Sequence, residues 1–135
     1  IRRHRATSNI CSNETLIALM GAMHMALLGP VGLEKLSLRI LASTVRAMNE
    51  VSSVEGVELA FPNSPVFREF AIKIPGKSED ALSHMDKLGV TAGFDLGNWW
   101  KDKSSWILVG CDERTSELDI IALKEALTSW VEGSE

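Results

Sequence analysis

The dipeptide Gly29-Pro30 interrupts a long stretch of helical apolar spacing near the start of the chain. From about Asn13, apolar residues recur every three or four positions, which is the spacing of one face of an α-helix. These residues are Leu16, Leu19, Met20, Met23 and Leu27. Proline cannot continue the hydrogen-bond ladder of a helix, but it fits well in a first turn. We therefore predict two helices in series, the second from about Val31 to about Val51.

Strand patterns appear only after these helices. Within residues 66–74, VFREFAIKI, the large apolar residues Phe70, Ile72 and Ile74 alternate with Glu69, Ala71 and Lys73, which is the period of a half-buried strand. Residues 105–111, SWILVGC, form a continuous apolar run typical of a strand covered on both faces. The short apolar stretch 57–61 predicts a further strand. A short helix capped by Ser78 is expected after the second strand.

The remaining segments complete an α+β order. The glycine-rich residues 89–100 predict an irregular segment around a short strand, and a last helix is expected from a cap at Thr115 or Ser116 to about Trp130. Two long helices ahead of a small sheet are typical of an α+β fold, a two-layer sandwich of helices on a small, mostly antiparallel sheet. We expect residues 1–135 to form a single domain.

Charge and cysteine usage limit the classes of partner. The net charge of −4 argues against nucleic acid, because phosphate binding depends on clustered lysine and arginine. No uninterrupted apolar run approaches the ~18 residues that suggest a membrane span, so no membrane partner is expected. The two cysteines, Cys11 and Cys111, have neither a disulfide-framework nor a zinc spacing. These features predict a reduced, cytoplasmic protein.

Two motifs suggest chemistry that the rest of the pattern does not support. Gly76-Lys77-Ser78 is typical of a phosphate-binding loop, but Ala71 stands where the loop needs its first glycine. We interpret it as a strand-to-helix turn. Zinc needs three or four convergent ligands, and the histidines His4, His24 and His84 lie on a tail and two different helices. No metal site is expected.

Carboxylate and tryptophan pairs have structural explanations. Asp112 with Glu113 and Glu79 with Asp80 fall at predicted helix entrances, where the helix dipole favours negative charge over a catalytic role. The adjacent Trp99 and Trp100 are interpreted as core or interface anchors, with ligand stacking as the alternative.

The first twelve residues are the most informative segment. Four of the first five are basic, and "RATSN" places small hydroxyl and amide side chains just before the first helix. Such side chains and the free backbone amides can hold an anion or fix a neighbouring loop. The alternative is a capped helix start preceded by a solvated tail. The charged start is interpreted as a cut edge within a longer chain.

At this segment the chain resembles a known family. "IRRHRATSNICSNETLIAL" is similar to the "HIRREKATSNICT" segment of the glycine decarboxylase P-protein, in subunit 1 of its split prokaryotic form. Similar blocks follow in the same order, at "ALLGPVGLEKL", "VFREF", "AGFDLG" and "GCDERTSELDIIALKEAL". The likeness covers essentially the whole chain.

The resemblance implies a fold and a function. P-proteins are pyridoxal-phosphate (PLP) enzymes of fold type I that decarboxylate glycine and pass the aminomethyl group to the lipoyl arm of H-protein. This chain would be the small carboxy-terminal domain of subunit 1, without its large amino-terminal domain and inactive alone. Its implied partners are that domain, subunit 2 and H-protein. The alternative is a free-standing, non-catalytic α+β module that binds a partner or ligand.

The resemblance also implies where the site residues lie. In the split family the Schiff-base lysine belongs to a histidine-lysine motif of the partner subunit, and no such motif occurs here. No catalytic or cofactor-binding residue is therefore expected in this chain, and PLP is expected only in the complete enzyme. The candidates for the edge of the active site are Thr7, Ser8 and Asn9, with Arg2 and Arg3 pairing to the large domain or the partner. The family's "EKATSN" begins with His4-Arg5 here.

Overall fold

The structure, a computed structural model, describes residues 12–133, with side chains from residue 14. The chain divides into two compact units, Ile1–Leu36 and Ser37–Glu135. The helices and strands are α1 (Ser12–Ser52), β1 (Glu58–Leu59), β2 (Glu69–Lys73), α2 (Ser78–Lys87), β3 (Phe94–Asp95), β4 (Trp106–Gly110) and α3 (Glu117–Glu132). Two single turns of 3-10 helix, Leu96–Asn98 and Lys101–Lys103, lie between β3 and β4.

Gly29 divides α1 into two helical segments. Its backbone angles, φ 62° and ψ −178°, lie in a region that is open essentially to glycine alone. Pro30 begins the next segment, where its missing N–H costs nothing. The prediction of two helices in series is confirmed.

The first unit consists of α1 up to Leu36 in the described chain. Most of its large apolar side chains are exposed, including Leu27 at 85%. By length and composition alone, the stretch Glu14–Ser52 is apolar enough to cross a membrane. The search for uninterrupted apolar runs in the sequence did not identify this stretch. Helices from protein cores pass the same test, so the absence of a membrane partner stays a prediction.

The second unit contains a four-stranded sheet in the order β1-β2-β4-β3. Each described pair of neighbouring strands is antiparallel, as predicted. The register places Phe70 opposite Val109 and Ile72 opposite Ile107. The outer strands β1 and β3 have two residues each, so β1 is shorter than the pattern at 57–61 predicted.

Three helical segments form the core with one face of this sheet. The sheet contributes Phe70, Ile72, Ile107 and Val109, the end of α1 contributes Ala47 and Val51, α2 contributes Ala81 and Met85, and α3 contributes Ile120, Leu123, Ala126 and Leu127. Full burial of each large apolar side chain stabilises the fold by about 1.5–3 kcal/mol. The α+β prediction of helices layered on a small antiparallel sheet is confirmed.

Ser78 does not cap α2, which corrects the sequence prediction. The residue at the cap position is Lys77, and it makes no capping bond through its side chain. The Ser78 side chain is fully buried, and its Oγ lies 2.5 Å from Asp95 Oδ1 and 2.7 Å from the carbonyl oxygen of Ser104. The hydroxyl therefore links α2 to the segment between β3 and β4 instead of satisfying the first turn of its own helix.

Candidate functional site

A cleft of ≈ 490 Å³ opens at the carboxyl end of β4, where the chain leaves the sheet and enters α3. Its walls come from the end of β4, the loop after α2 and the first turns of α3. The lining residues that bear hydroxyl, thiol or charged groups are Thr91, Cys111, Asp112, Arg114, Thr115 and Asp119. This concentration of polar groups makes the cleft the first place to look for chemistry in the second unit.

The Asp112 carboxylate organises the turn beside the cleft. Its Oδ1 accepts hydrogen bonds from the backbone N–H of Arg114 at 2.9 Å and of Thr115 at 3.1 Å. Its Oδ2 accepts from the Arg114 guanidinium at 3.3 Å. These bonds, the backbone one from Arg114 above all, lower the pKa of Asp112. A carboxylate committed to several donors is a weak base, so a structural role fits it better than proton transfer.

A capping box begins α3 at the same cleft. The Ser116 Oγ accepts from the backbone N–H of Asp119 at 3.3 Å, and the Asp119 carboxylate accepts from the backbone N–H of Ser116 at 2.8 Å. The bonds from Ser116 lower the pKa of Asp119. The cap predicted at Thr115 or Ser116 is thus at Ser116. Glu79 and Asp80 occupy the first turn of α2, as predicted from the helix dipole.

Cys111 is not an active nucleophile in this cleft. It is a free cysteine with only 3% of its surface exposed, and burial raises the pKa of its thiol above the ordinary value of 9.0. The thiolate is the reactive form of cysteine, so a raised pKa keeps this thiol unreactive at neutral pH. Cys111 acts here as a small apolar residue of the core.

The cleft also fails to match a covalent PLP site. PLP enzymes hold the cofactor through a Schiff base to a lysine, and no lysine is among the residues that line this cleft. Lys124, on α3, lies 2.9 Å from Glu50 Oε2 in an ion pair that lowers the pKa of Glu50. The side chains of Asp112, Arg114, Thr115 and Asp119 take part in the hydrogen bonds that build the turn before α3.

The sheet face opposite the core carries a second candidate, an aromatic surface formed by Phe61, Phe94, Trp99, Trp100 and Trp106. Trp106 precedes the core residue Ile107 on β4, and successive side chains of a strand lie on opposite faces, so the Trp106 side chain lies on the face away from the helices. The Lys103 ammonium lies 4.0 Å from the Trp106 ring centroid, and Phe61 meets the same ring edge-on at 5.7 Å. The Trp99 ring meets two other rings edge-on. Its centroid lies 5.4 Å from that of Phe94 and 5.9 Å from that of Trp100.

Exposure decides between the interpretations of the tryptophan pair. Trp99 is 72% exposed and Trp100 is 48% exposed, which excludes a core role in this chain. An interface anchor and a ligand-stacking group both remain consistent with their position. Neither the aromatic surface nor the Ser78 contact was identified from the sequence. The presence of four tryptophans in a chain without tyrosine could have indicated the aromatic surface.

The sequence-predicted site residues Arg2, Arg3, Thr7, Ser8 and Asn9 lie outside the described residues. Gly76, Lys77 and Ser78 form the predicted strand-to-helix turn. Within residues 12–133, no group of three or more metal-ligating side chains comes together. His84, one of the three histidines considered, lies 3.2 Å from Ser129 Oγ on α3.

Comparison with known families identifies a match to most of the chain. The family model described as "Glycine cleavage system P-protein" matches residues 1–127. Among curated proteins, the probable glycine dehydrogenase (decarboxylating) subunit 1 of Desulfovibrio desulfuricans is 35% identical over 127 residues, covering 94% of this chain and 28% of its own. The Dictyoglomus turgidum protein of the same name is 36% identical over 131 residues, covering 94% of this chain and 29% of its own. The chain thus spans less than a third of these relatives.

Solved structures agree with the sequence comparison. A crystal structure of glycine decarboxylase (P-protein) of the glycine cleavage system, in inhibitor-bound form, has 33% identity and a TM-score of 0.80, covering 96% of this chain and 29% of that one. A NifS-like protein from Rickettsia africae and the aminotransferase TlmJ from Streptoalloteichus hindustanus share the fold, at TM-scores of 0.58 and identities of 17% and 12%. The alternative of a free-standing interaction module is not supported.

Proposed function

The chain belongs to the glycine cleavage system P-protein family, and on that premise we propose that residues 1–135 are the small carboxy-terminal domain of a longer subunit 1. The observation that carries the proposal is the match of residues 1–127 to the family, together with a backbone similar to P-protein over 96% of the chain. The coverage of only 28% of a subunit 1 relative supports a longer parent protein.

The activity we propose for the parent protein is that of a glycine dehydrogenase (decarboxylating). With subunit 2 it decarboxylates glycine and transfers the aminomethyl group to the lipoyl arm of H-protein. The names of the relatives, which are subunit 1 proteins, support a partner subunit. We also propose a cytoplasmic location for the parent protein. This part of the proposal rests on the cysteine usage of the sequence.

PLP belongs to the complete enzyme in this proposal, where it supplies an electron sink for the carbanion left by decarboxylation. The proposal that the partner subunit holds the cofactor rests on the family resemblance, in which the Schiff-base lysine belongs to a histidine-lysine motif of subunit 2. The domain described here is therefore assigned a positioning role and no catalytic residue, and it is inactive alone.

Thr7, Ser8 and Asn9 are the residues of this chain that we place at the edge of the active site. Arg2 and Arg3 are assigned ion pairs with the large domain or with subunit 2. Their support is the likeness of "RATSNIC" to the family's segment, in which small hydroxyl and amide groups precede a helix whose free N–H groups favour polar neighbours.

The test uses the complete subunit 1 that carries this sequence, mixed with subunit 2. We expect Ser8→Ala with Asn9→Ala to lower glycine–bicarbonate exchange by roughly tenfold or more, the loss typical of misplaced positioning groups. The matched control replaces the same residue types on the exposed side of α1, Asn49→Ala with Ser52→Ala. Equal exchange activity in the two double variants would remove these residues from the site.

A further inference from the structure

The first segment of α1 has two distinct apolar faces. The bulky face has the spacing i, i+4, i+7, i+11 and consists of Leu16, Met20, Met23 and Leu27. The small face, about 125° around the helix by the 3.6-residue period, consists of Thr15, Ala18, Ala22 and Ala26. A helix that is apolar over so wide an arc is typical of the interior of a larger structure, because a surface helix has one apolar stripe and a polar opposite face.

Both faces are uncovered in the described chain. The bulky-face side chains are 57–85% exposed, and the small-face residues are also exposed. Leaving four large apolar side chains in water costs about 1.5–3 kcal/mol each relative to burial. Soluble proteins rarely present such a continuous apolar area without a partner to cover it.

The break at Gly29 favours protein over lipid as that partner. Between Glu14 and Gly29 the helix provides only about 14 residues, whereas a transmembrane helix needs about 20. Past the break, Glu34 and Lys35 enter the sequence within the next two turns. A stretch of this length is typical of a buried core helix.

The two faces also argue against a second copy of the chain as the sole cover. A twofold dimer brings the same patch of each copy together, so it would cover one face and leave the other in water. The small and bulky faces require different neighbours, since small residues permit close backbone approach and large ones fill a wide apolar layer. A single folded chain can provide both.

We propose that the part of subunit 1 outside residues 1–135 packs on both faces of the helix 14–28, which becomes an interior helix of the complete subunit. This inference rests on the proposed function, because the unmatched length of the subunit 1 relatives, more than two thirds, is the source of the covering segments. A closely packed element covers the small face, and an apolar layer covers the bulky face.

The test measures the reaction of single cysteines with a maleimide polymer in the complete subunit, without lipid. Met20→Cys reports on the bulky face, Ala22→Cys on the small face, and Glu34→Cys, at an exposed polar position of α1, is the matched control. Cys11→Ser removes one native thiol, and labelling of the parent protein is subtracted. Each variant is also labelled in urea to obtain its unprotected rate.

We expect Met20→Cys and Ala22→Cys to react at least about tenfold more slowly than Glu34→Cys in the native subunit, and all three to react alike in urea. Rapid native labelling of either face overturns the proposal. Labelling that is rapid without lipid and slows when phospholipid vesicles are added would indicate a membrane, and protection that grows with protein concentration would indicate a second copy; either result also overturns the proposal. Glycine–bicarbonate exchange, measured on the same samples, tests the proposed function separately, because protected faces without exchange contradict only that function.

Discussion

Ser78 joins three parts of the second unit at one buried point. Its hydroxyl has a single proton, yet both the Asp95 carboxylate and the Ser104 carbonyl lie within hydrogen-bonding distance of it. The Asp95 carboxylate also accepts from the backbone N–H of Gly97 at 2.8 Å, in the first of the two 3-10 turns. Without the hydroxyl these acceptors would have fewer donors inside the fold. A buried acceptor that loses its donor lowers the stability of the folded state, because its desolvation is no longer offset by a hydrogen bond.

Substitution of Ser78 is therefore expected to destabilise the chain far more than substitution of a surface serine on the same helix. Ser78→Ala should lower the free energy of unfolding by about 1–3 kcal/mol. Ser83→Ala, which removes only an exposed hydroxyl bonded to its own helix at 2.9 Å, should change it by less than about 0.5 kcal/mol. Urea denaturation followed by circular dichroism measures both, and equal midpoints would contradict the structural role of Ser78.

Residues that act within their own turn were predictable from the sequence, whereas Ser78 was not. The Gly29 break and the Ser116 cap depend on neighbours within a few positions, so residue type and spacing indicate them. The partners of Ser78 lie 17 and 26 positions away. A serine in a first turn satisfies the local pattern of a cap, and only the packing of distant segments shows that its hydroxyl points elsewhere.

At the level of elements, β3 illustrates the same limit. Its two residues pair with Leu108 and Ile107 on β4, and the glycine-rich sequence around it indicated an irregular segment with a short strand. What could not be predicted is how closely β4 lies beside it. A Cβ atom added at Gly93 would lie 2.2 Å from the Leu108 carbonyl oxygen, so glycine is required there for backbone approach.

Gly93→Ala is expected to separate β3 from β4. The clash is with backbone, which cannot rotate away, and we expect a loss of about 2–3 kcal/mol in the free energy of unfolding. Gly110→Ala, in the same sheet, is the matched control, because its Cβ would meet only Glu69 Cγ at 3.8 Å. Hydrogen exchange of the β4 amides and urea midpoints measure the effect. A Gly93→Ala protein as stable as the Gly110→Ala protein would show that the strands can move apart without cost.

For the molecule as a whole, the sequence supported the fold class better than the site. Apolar periodicity indicated helices layered on a small antiparallel sheet because burial depends on the pattern of many residues. The role of Thr7, Ser8 and Asn9 came from likeness to a family, since three small polar residues before a helix specify no chemistry by themselves. Trp99 and Trp100 lie outside the strands, and their position beside the sheet follows from the ring contacts of Trp99 with Phe94 and with Trp100, which the sequence does not show.

Four titratable side chains of the second unit have shifted pKa values, and together these shifts make its stability depend on pH. The Lys124 ammonium lowers the pKa of Glu50 below 4.5, and hydrogen bonds lower the pKa values of Asp112 and Asp119 below 3.8. Each carboxyl therefore binds its proton more weakly in the folded state than in the unfolded state. Their stabilising contribution is complete above the unfolded pKa values and is lost as pH falls through the folded ones. Cys111 acts in the opposite direction, since a thiol pKa raised above 9.0 makes stability fall as pH rises past that value.

Stability is consequently expected to be level between about pH 5 and pH 9 and to fall on both sides. The triple variant Glu50→Gln, Asp112→Asn, Asp119→Asn should be less stable than the parent at pH 7, and the difference should shrink steadily below about pH 4, where the parent carboxylates become protonated. Glu113→Gln, which changes an exposed carboxylate next to Asp112, is the control and should leave the acid limb of the curve unchanged. Urea midpoints from pH 2.5 to pH 10.5 measure both limbs. A difference between parent and triple variant that stays constant down to pH 2.5 would mean that these three carboxylates stabilise the fold without their charge.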